Sequence, residues 1–188
     1  MARLPYVDPG EAPERVREAL DALPPLNIFR MTANAESAFR PWLALGGALL
    51  SSLELDPRLR ELAILRVGKL ERAEYEWVQH VPIARSVGAT EGEIAAIERG
   101  DIESEDLDET ARAVLRFTTE AVRDVRASDE ALDELRERGL SAREVVELLL
   151  VISYYMGVAR MAESTGIEVD GPLGDDVAAS AVRRGRRD

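Results

Sequence analysis

The chain has 188 residues, enough for one domain with its own core, and its 46% apolar content is that of a globular protein. A net charge of -12 argues against nucleic acid or an anionic membrane surface as a partner, since both need a basic face. With no cysteine, a disulfide framework, a thiolate nucleophile and thiol redox chemistry are excluded.

Strand signals are almost absent, and the chain reads as a series of helices. The first runs through APERVREALDAL and stops before Pro24 and Pro25. The second is expected from about Asn34 to Leu53, with Pro41 as a kink or break. Asp56 followed by Pro57 is an N-cap with proline at the first helical position, and it opens RLRELAILRVGKL. After a joint near Glu71 and Arg72, AEYEWVQHVPIARSVG forms another helix, with Pro82 inside it and Gly88 as its cap. Thr90 and Glu93 form a capping box for the next helix.

The segment GDIESEDLDE, rich in acids, reads as a solvated linker. Helices are expected at Glu109–Val125 and Asp129–Arg138. A second capping box, Ser141 and Glu144, opens the most apolar helix, which Gly166 stops. Between Val145 and Met161 that helix is apolar nearly all round, so it is expected to be buried on every side, in part by another subunit. Its apolar run, Leu148 to Ala159, is interrupted by Ser153 and Gly157 and is read as too short for a membrane span. The N-terminus has no apolar signal region, so the expected location is the cytoplasm. The expected organisation is a single domain over 1–170 and a polar tail over 171–188, ending in RRGRRD.

His80 is the only histidine. Glu76 precedes it by one helical turn, so the two share a helix face, with Ala73 one turn further back. A carboxylate beside an imidazole suits general acid–base work. Two side chains alone are a weak signal, and the pair taken by itself is more often a structural hydrogen bond or a surface contact. A metal site would need further N, O or S donors, and nothing nearby completes a familiar motif. A nucleophile elbow of the G-x-S-x-G type is absent.

The stretch RELAILRVGKLERAEYEWVQHVPIARSVGATEGEIAAI resembles the carboxymuconolactone decarboxylase family, whose other branch is alkylhydroperoxidase D. The peroxidase signature is a Glu, a Cys-x-x-Cys and a His. Counted back from His80, its cysteine positions fall on Ala73 and Glu76, and its Glu falls on Glu61. LPYVDPGEAP, NIFRMTANAESAFRPWLALGGALL and LLLVISYYMGVARMAESTGIEVD extend the resemblance to roughly residues 4–170. It implies an all-α, AhpD-like helical bundle that assembles as a homo-oligomer, a trimer or hexamer. It also implies cofactor-independent chemistry of the decarboxylase type on a small carboxylic acid or lactone, with no metal.

In that reading His80, Glu76 and Glu61 are the catalytic residues, with Glu61 and Glu76 converging on the imidazole. Arg160 is a candidate to hold a substrate carboxylate, and Tyr75, Trp77, Tyr154 and Tyr155 are candidates to line the pocket. Two other readings stand beside it. One is a peroxidase, which lacks both of its thiols here. The other is a non-catalytic ligand-binding or assembly protein.

Overall fold

The structure, a computed structural model, describes residues 1–170. The expected tail, 171–188, lies outside the described residues. Among those described there are nine α-helices and no strand. They are α1 (Glu14–Asp21), α2 (Asn27–Thr32), α3 (Glu36–Ser51), α4 (Pro57–Glu71), α5 (Glu74–Ser86), α6 (Glu91–Arg99), α7 (Glu109–Asp124), α8 (Asp129–Glu137) and α9 (Ala142–Thr165).

Helix α4 is the axis of the fold. Every residue from Leu59 to Gly68 is buried, and α5, α6, α7 and α9 all pack on it. A helix surrounded on all sides has no free face for charge, so the polar side chains it carries must be paired within the protein. Glu61 and Arg60 are two of these. The start of α4 follows directly from sequence: the Asp56 carboxylate accepts from Leu59 N at 3.0 Å, with Pro57 at the first turn. At its other end Arg72 adopts a left-handed conformation, φ 59°, which turns the chain sharply into α5. That turn sets α5 across α4 and brings His80 over Glu61.

Both expected capping boxes form, at Thr90–Glu93 and Ser141–Glu144. Two expectations need correction. Helix α2 has no sequence signal, because its N-cap is Leu26, which makes no side-chain cap, and it is only six residues long. Pro41 does not break α3: the helix runs through it, held by Phe39, Gly46 and Leu49 on its buried face. The acidic segment exposes all six of its acids, as a solvated linker does, and is anchored at its end. Leu107 is buried in the main core, and the Asp108 carboxylate both caps α7 and accepts from Arg58 at 2.7 Å.

Within the single chain, helix α9 is buried on one side only. Leu148, Val151, Ile152 and Tyr155 are buried against the core, but Val146, Leu149 and Leu150 form an exposed apolar stripe. By length and composition α9 is also long and apolar enough to cross a membrane, contrary to the reading of its shorter apolar run. Half of its most apolar stretch is buried inside the described fold, and the core helix of a soluble protein passes the same test.

Candidate active site

The site is built from α3, α4, α5 and α9, with the chain around α2 closing one side. From α4, Glu61 is fully buried, 0% exposed. Its Oε2 lies 2.8 Å from His80 Nδ1, and its Oε1 accepts from Arg60 Nε at 3.0 Å. Arg60 also donates to the Leu50 carbonyl at 2.9 Å. Burial alone would push the Glu61 carboxyl up. The neighbouring His80 and Arg60 outweigh that and hold it below the ordinary carboxylate value. An ionised Glu61 can only accept, so the His80 proton that meets it sits on Nδ1, and Nε2 is the ring atom left for other chemistry. The edge-on ring of Tyr155, with centroids 4.8 Å apart, fixes the imidazole from α9.

Glu76 lies one turn before His80 on α5 and is 2% exposed. Among the described residues neither of its carboxylate oxygens has a hydrogen-bond partner. The expected convergence of two carboxylates on His80 is therefore half realised: Glu61 bonds the ring, and Glu76 does not. The two carboxyls are also driven in opposite directions. Burial, together with the negative charges of Glu71 and Glu163, pushes the Glu76 carboxyl up to about 9. At neutral pH it is an uncharged acid, with no ionic attraction to the imidazole.

Glu76 and His80 line a cavity of about 320 Å³. Its walls are otherwise mostly apolar, with Trp42, Gly46 and Leu50 from α3 and Tyr154 and Tyr155 from α9. Trp42 and Tyr154 stack with centroids 5.4 Å apart, and the Tyr154 hydroxyl donates to the Trp42 carbonyl at 3.2 Å. Gly46 is required there, since a Cβ at that position would come within 2.3 Å of the Tyr154 hydroxyl. Tyr75 also lines the cavity and donates to Asp170 Oδ2 at 2.7 Å. Asp170 in turn accepts from the Asn27 backbone N–H at 2.8 Å, so the segment after α9 is pinned beside α2.

The structure thus brings together Glu61, Glu76, His80, Tyr75 and Tyr154. It leaves out two residues expected there. Arg160 is exposed and forks onto Glu71, at 3.0 and 3.1 Å, outside the cavity. Trp77 lies under Lys69, whose ammonium sits 5.0 Å from its ring centroid, and packs on the main core. Sequence reasoning missed Arg60. Its signal was available: a buried carboxylate on an all-round-buried helix needs a cation, and Arg60 is its chain neighbour. It also missed Asp170 and the α3 wall, which no local spacing marks. No group of three or more potential metal-ligating acids or histidines occurs among the described residues.

Comparison with known proteins bears on the family and the fold. Residues 36–120, which span α3 to α7 and hold Glu61, Glu76 and His80, match the model of the carboxymuconolactone decarboxylase family. No curated protein matches the sequence. Among solved structures, an uncharacterized peroxidase-related protein with an alkylhydroperoxidase AhpD core from Ralstonia eutropha JMP134 superposes with a TM-score of 0.77 at 20% identity, covering 90% of this chain and 92% of that one. A protein of unknown function from Agrobacterium tumefaciens, described as an AhpD-type antioxidant defence protein, gives 0.67 at 26% identity, over 73% of this chain and 94% of that one. A cysteine-to-alanine variant of the debrominase Bmp8 in complex with 2,3,4-tribromopyrrole gives 0.71 at 15% identity, over 93% and 94%. The chain thus matches the carboxymuconolactone decarboxylase family model over residues 36–120 and shares the AhpD-like helical fold, with no cysteine in its sequence.

Proposed function

We propose that the protein is a cofactor-independent acid–base enzyme of the lyase type, acting on a small organic acid or lactone. One observation carries the reading: a buried, ionised Glu61 holds His80 Nδ1, while an uncharged Glu76 lines the same cavity as His80. Two titratable groups driven apart in this way are the mark of an acid and a base with separate roles.

The chemistry follows from the proton positions. With Nδ1–H donated to Glu61, Nε2 carries a lone pair and can take a proton from a carbon next to a carbonyl. The C–H electron pair moves onto the carbonyl oxygen, which Glu76 meets as a hydrogen-bond and proton donor. Glu61 stabilises the imidazolium that forms. In a decarboxylation the C–C electron pair enters the same enolate as carbon dioxide leaves; His80 then has to start as the imidazolium, gives its Nε2 proton to carbon, and regains one from water.

Thiol-based peroxide reduction is disfavoured, although similar folds carry peroxidase-related names, because the chain has no cysteine to form a sulfenic acid. The test is a panel of small lactones and 3-oxo acids incubated in D2O and followed by NMR for deuterium uptake and carbon dioxide loss. At least one member is expected to react, and His80→Gln is expected to slow it by ~100-fold or more. Full activity in His80→Gln contradicts the role of the imidazole. A panel with no reaction at all, but with ligands bound beside His80, favours a non-catalytic binding protein.

A further inference from the structure

We infer that this cavity selects an uncharged, largely apolar molecule carrying a hydrogen-bond acceptor, and discriminates against carboxylates, because Glu76 is its unpaired polar anchor and no arginine or lysine among the described residues lines it. The inference rests on the proposed acid–base reading and narrows it: of the acids and lactones proposed there, it keeps the lactones and other uncharged carbonyl compounds and sets aside decarboxylation of a carboxylate.

Arg60, the buried cation closest in sequence to the site, is spent on Glu61 and the Leu50 carbonyl. Arg160, the one cation expected to clamp a carboxylate, is held outside by Glu71. His80 acting as a base presents a lone pair at Nε2, which repels an anion. A carboxylate in this space would be buried near Glu61 without a counter-charge, which is costly in an apolar environment. A carbonyl, ester or lactone oxygen meets no such penalty, and it supplies the acceptor that the Glu76 carboxyl lacks.

The groups that face Glu76 are all acidic or neutral. Glu71 comes from the end of α4, Glu163 and Tyr155 from α9, and His80 from its own helix. Nothing among them supplies a positive partner that would ionise Glu76 at neutral pH, so its proton remains available to a ligand. Gly68 of α4 packs beneath its Cβ at 3.6 Å, which keeps the side chain rooted in the α4–α5 contact.

The experiment measures binding without turnover, on the full chain, by quenching of tryptophan fluorescence, since Trp42 lines the cavity. The probes are matched pairs: cyclohexanone against cyclohexanecarboxylate, and acetophenone against benzoate. At pH 7 the ketone of each pair is expected to bind at least ~10-fold more tightly. Its affinity is expected to fall as pH rises through about 9, where Glu76 loses its proton. In Glu76→Gln the ketones are expected to bind still, through the amide donor, with that alkaline fall abolished. Equal or tighter binding of the carboxylates overturns the inference. So does an unchanged alkaline fall in Glu76→Gln, or an absence of ketone binding. His80→Gln separates this from the proposed function: a lost reaction with the ketone preference intact supports both. A carboxylate preference in a protein whose reaction depends on His80 sinks only the present inference. A ketone preference in a protein whose reaction survives His80→Gln sinks only the former.

Discussion

Glu61 and Glu76 are both buried carboxyls on adjacent helices, and their surroundings drive them in opposite directions. Glu61 has His80 and Arg60 within hydrogen-bonding distance and is held ionised. Glu76 has only acidic charges near it and stays protonated to about 9. The two have opposite linkage signs. The Glu61 contribution is present above its unfolded value near 4.5 and is lost as pH falls through its lower folded value. For Glu76 the folded state holds its proton more tightly, so stability declines as pH rises from near 4.5 toward about 9. At pH 7 that decline amounts to about 3 kcal/mol. In urea melts across pH, Glu76→Gln is expected to match wild type near pH 5 and to exceed it increasingly up to about pH 9. An unchanged pH slope in the variant would show that Glu76 titrates normally. A stabilised variant would also mark the residue as one kept for function at a cost in stability.

At the scale of elements, the helices with side-chain caps were the legible ones. Asp56, Thr90 with Glu93 and Ser141 with Glu144 mark their helices in sequence and cap them in the structure. Helix α2 has no such marker, and Pro41 suggested an interruption that the packing of Phe39 and Leu49 overrides. The contact between α3 and α9 is equally silent in sequence, yet it shapes the cavity. There Tyr154 lies against Gly46 and bonds the Trp42 carbonyl. Gly46→Ala gains about 1 kcal/mol of helix propensity but forces the tyrosine aside, at a cost of ~1–3 kcal/mol. The expected outcome is a small change in melting temperature with at least ~10-fold weaker binding of cavity ligands. Unaltered binding in that variant would mean that Tyr154 does not bound the ligand space.

For the whole molecule, the all-helical class was readable from helix periodicity, while Glu61 as a partner of His80 came only from the resemblance to the family signature. The cavity was not readable, because its walls come from four helices whose approach depends on tertiary packing alone. Arg160 was misassigned for the same reason: its position on α9 suggested the site, while Glu71 at the end of α4 captured it. The exposed stripe of Val146, Leu149 and Leu150 on α9, with Leu150 48% exposed, is a surface that a second copy of the chain is expected to cover. Light scattering at micromolar concentration is expected to give a mass above that of one chain, and Leu150→Glu to shift it toward the monomer. A wild-type monomer with a helical spectrum would refute assembly through this face.

The central claim is that one cavity joins His80, held by an ionised Glu61, to an uncharged Glu76. Its most direct test is an NMR pH titration of the side-chain carboxyl carbons in protein labelled with 13C-glutamate, with Glu76→Gln used for assignment. The account predicts one carboxyl that titrates near 9 and disappears in the variant. A Glu76 signal that titrates near the ordinary 4.5 would contradict it.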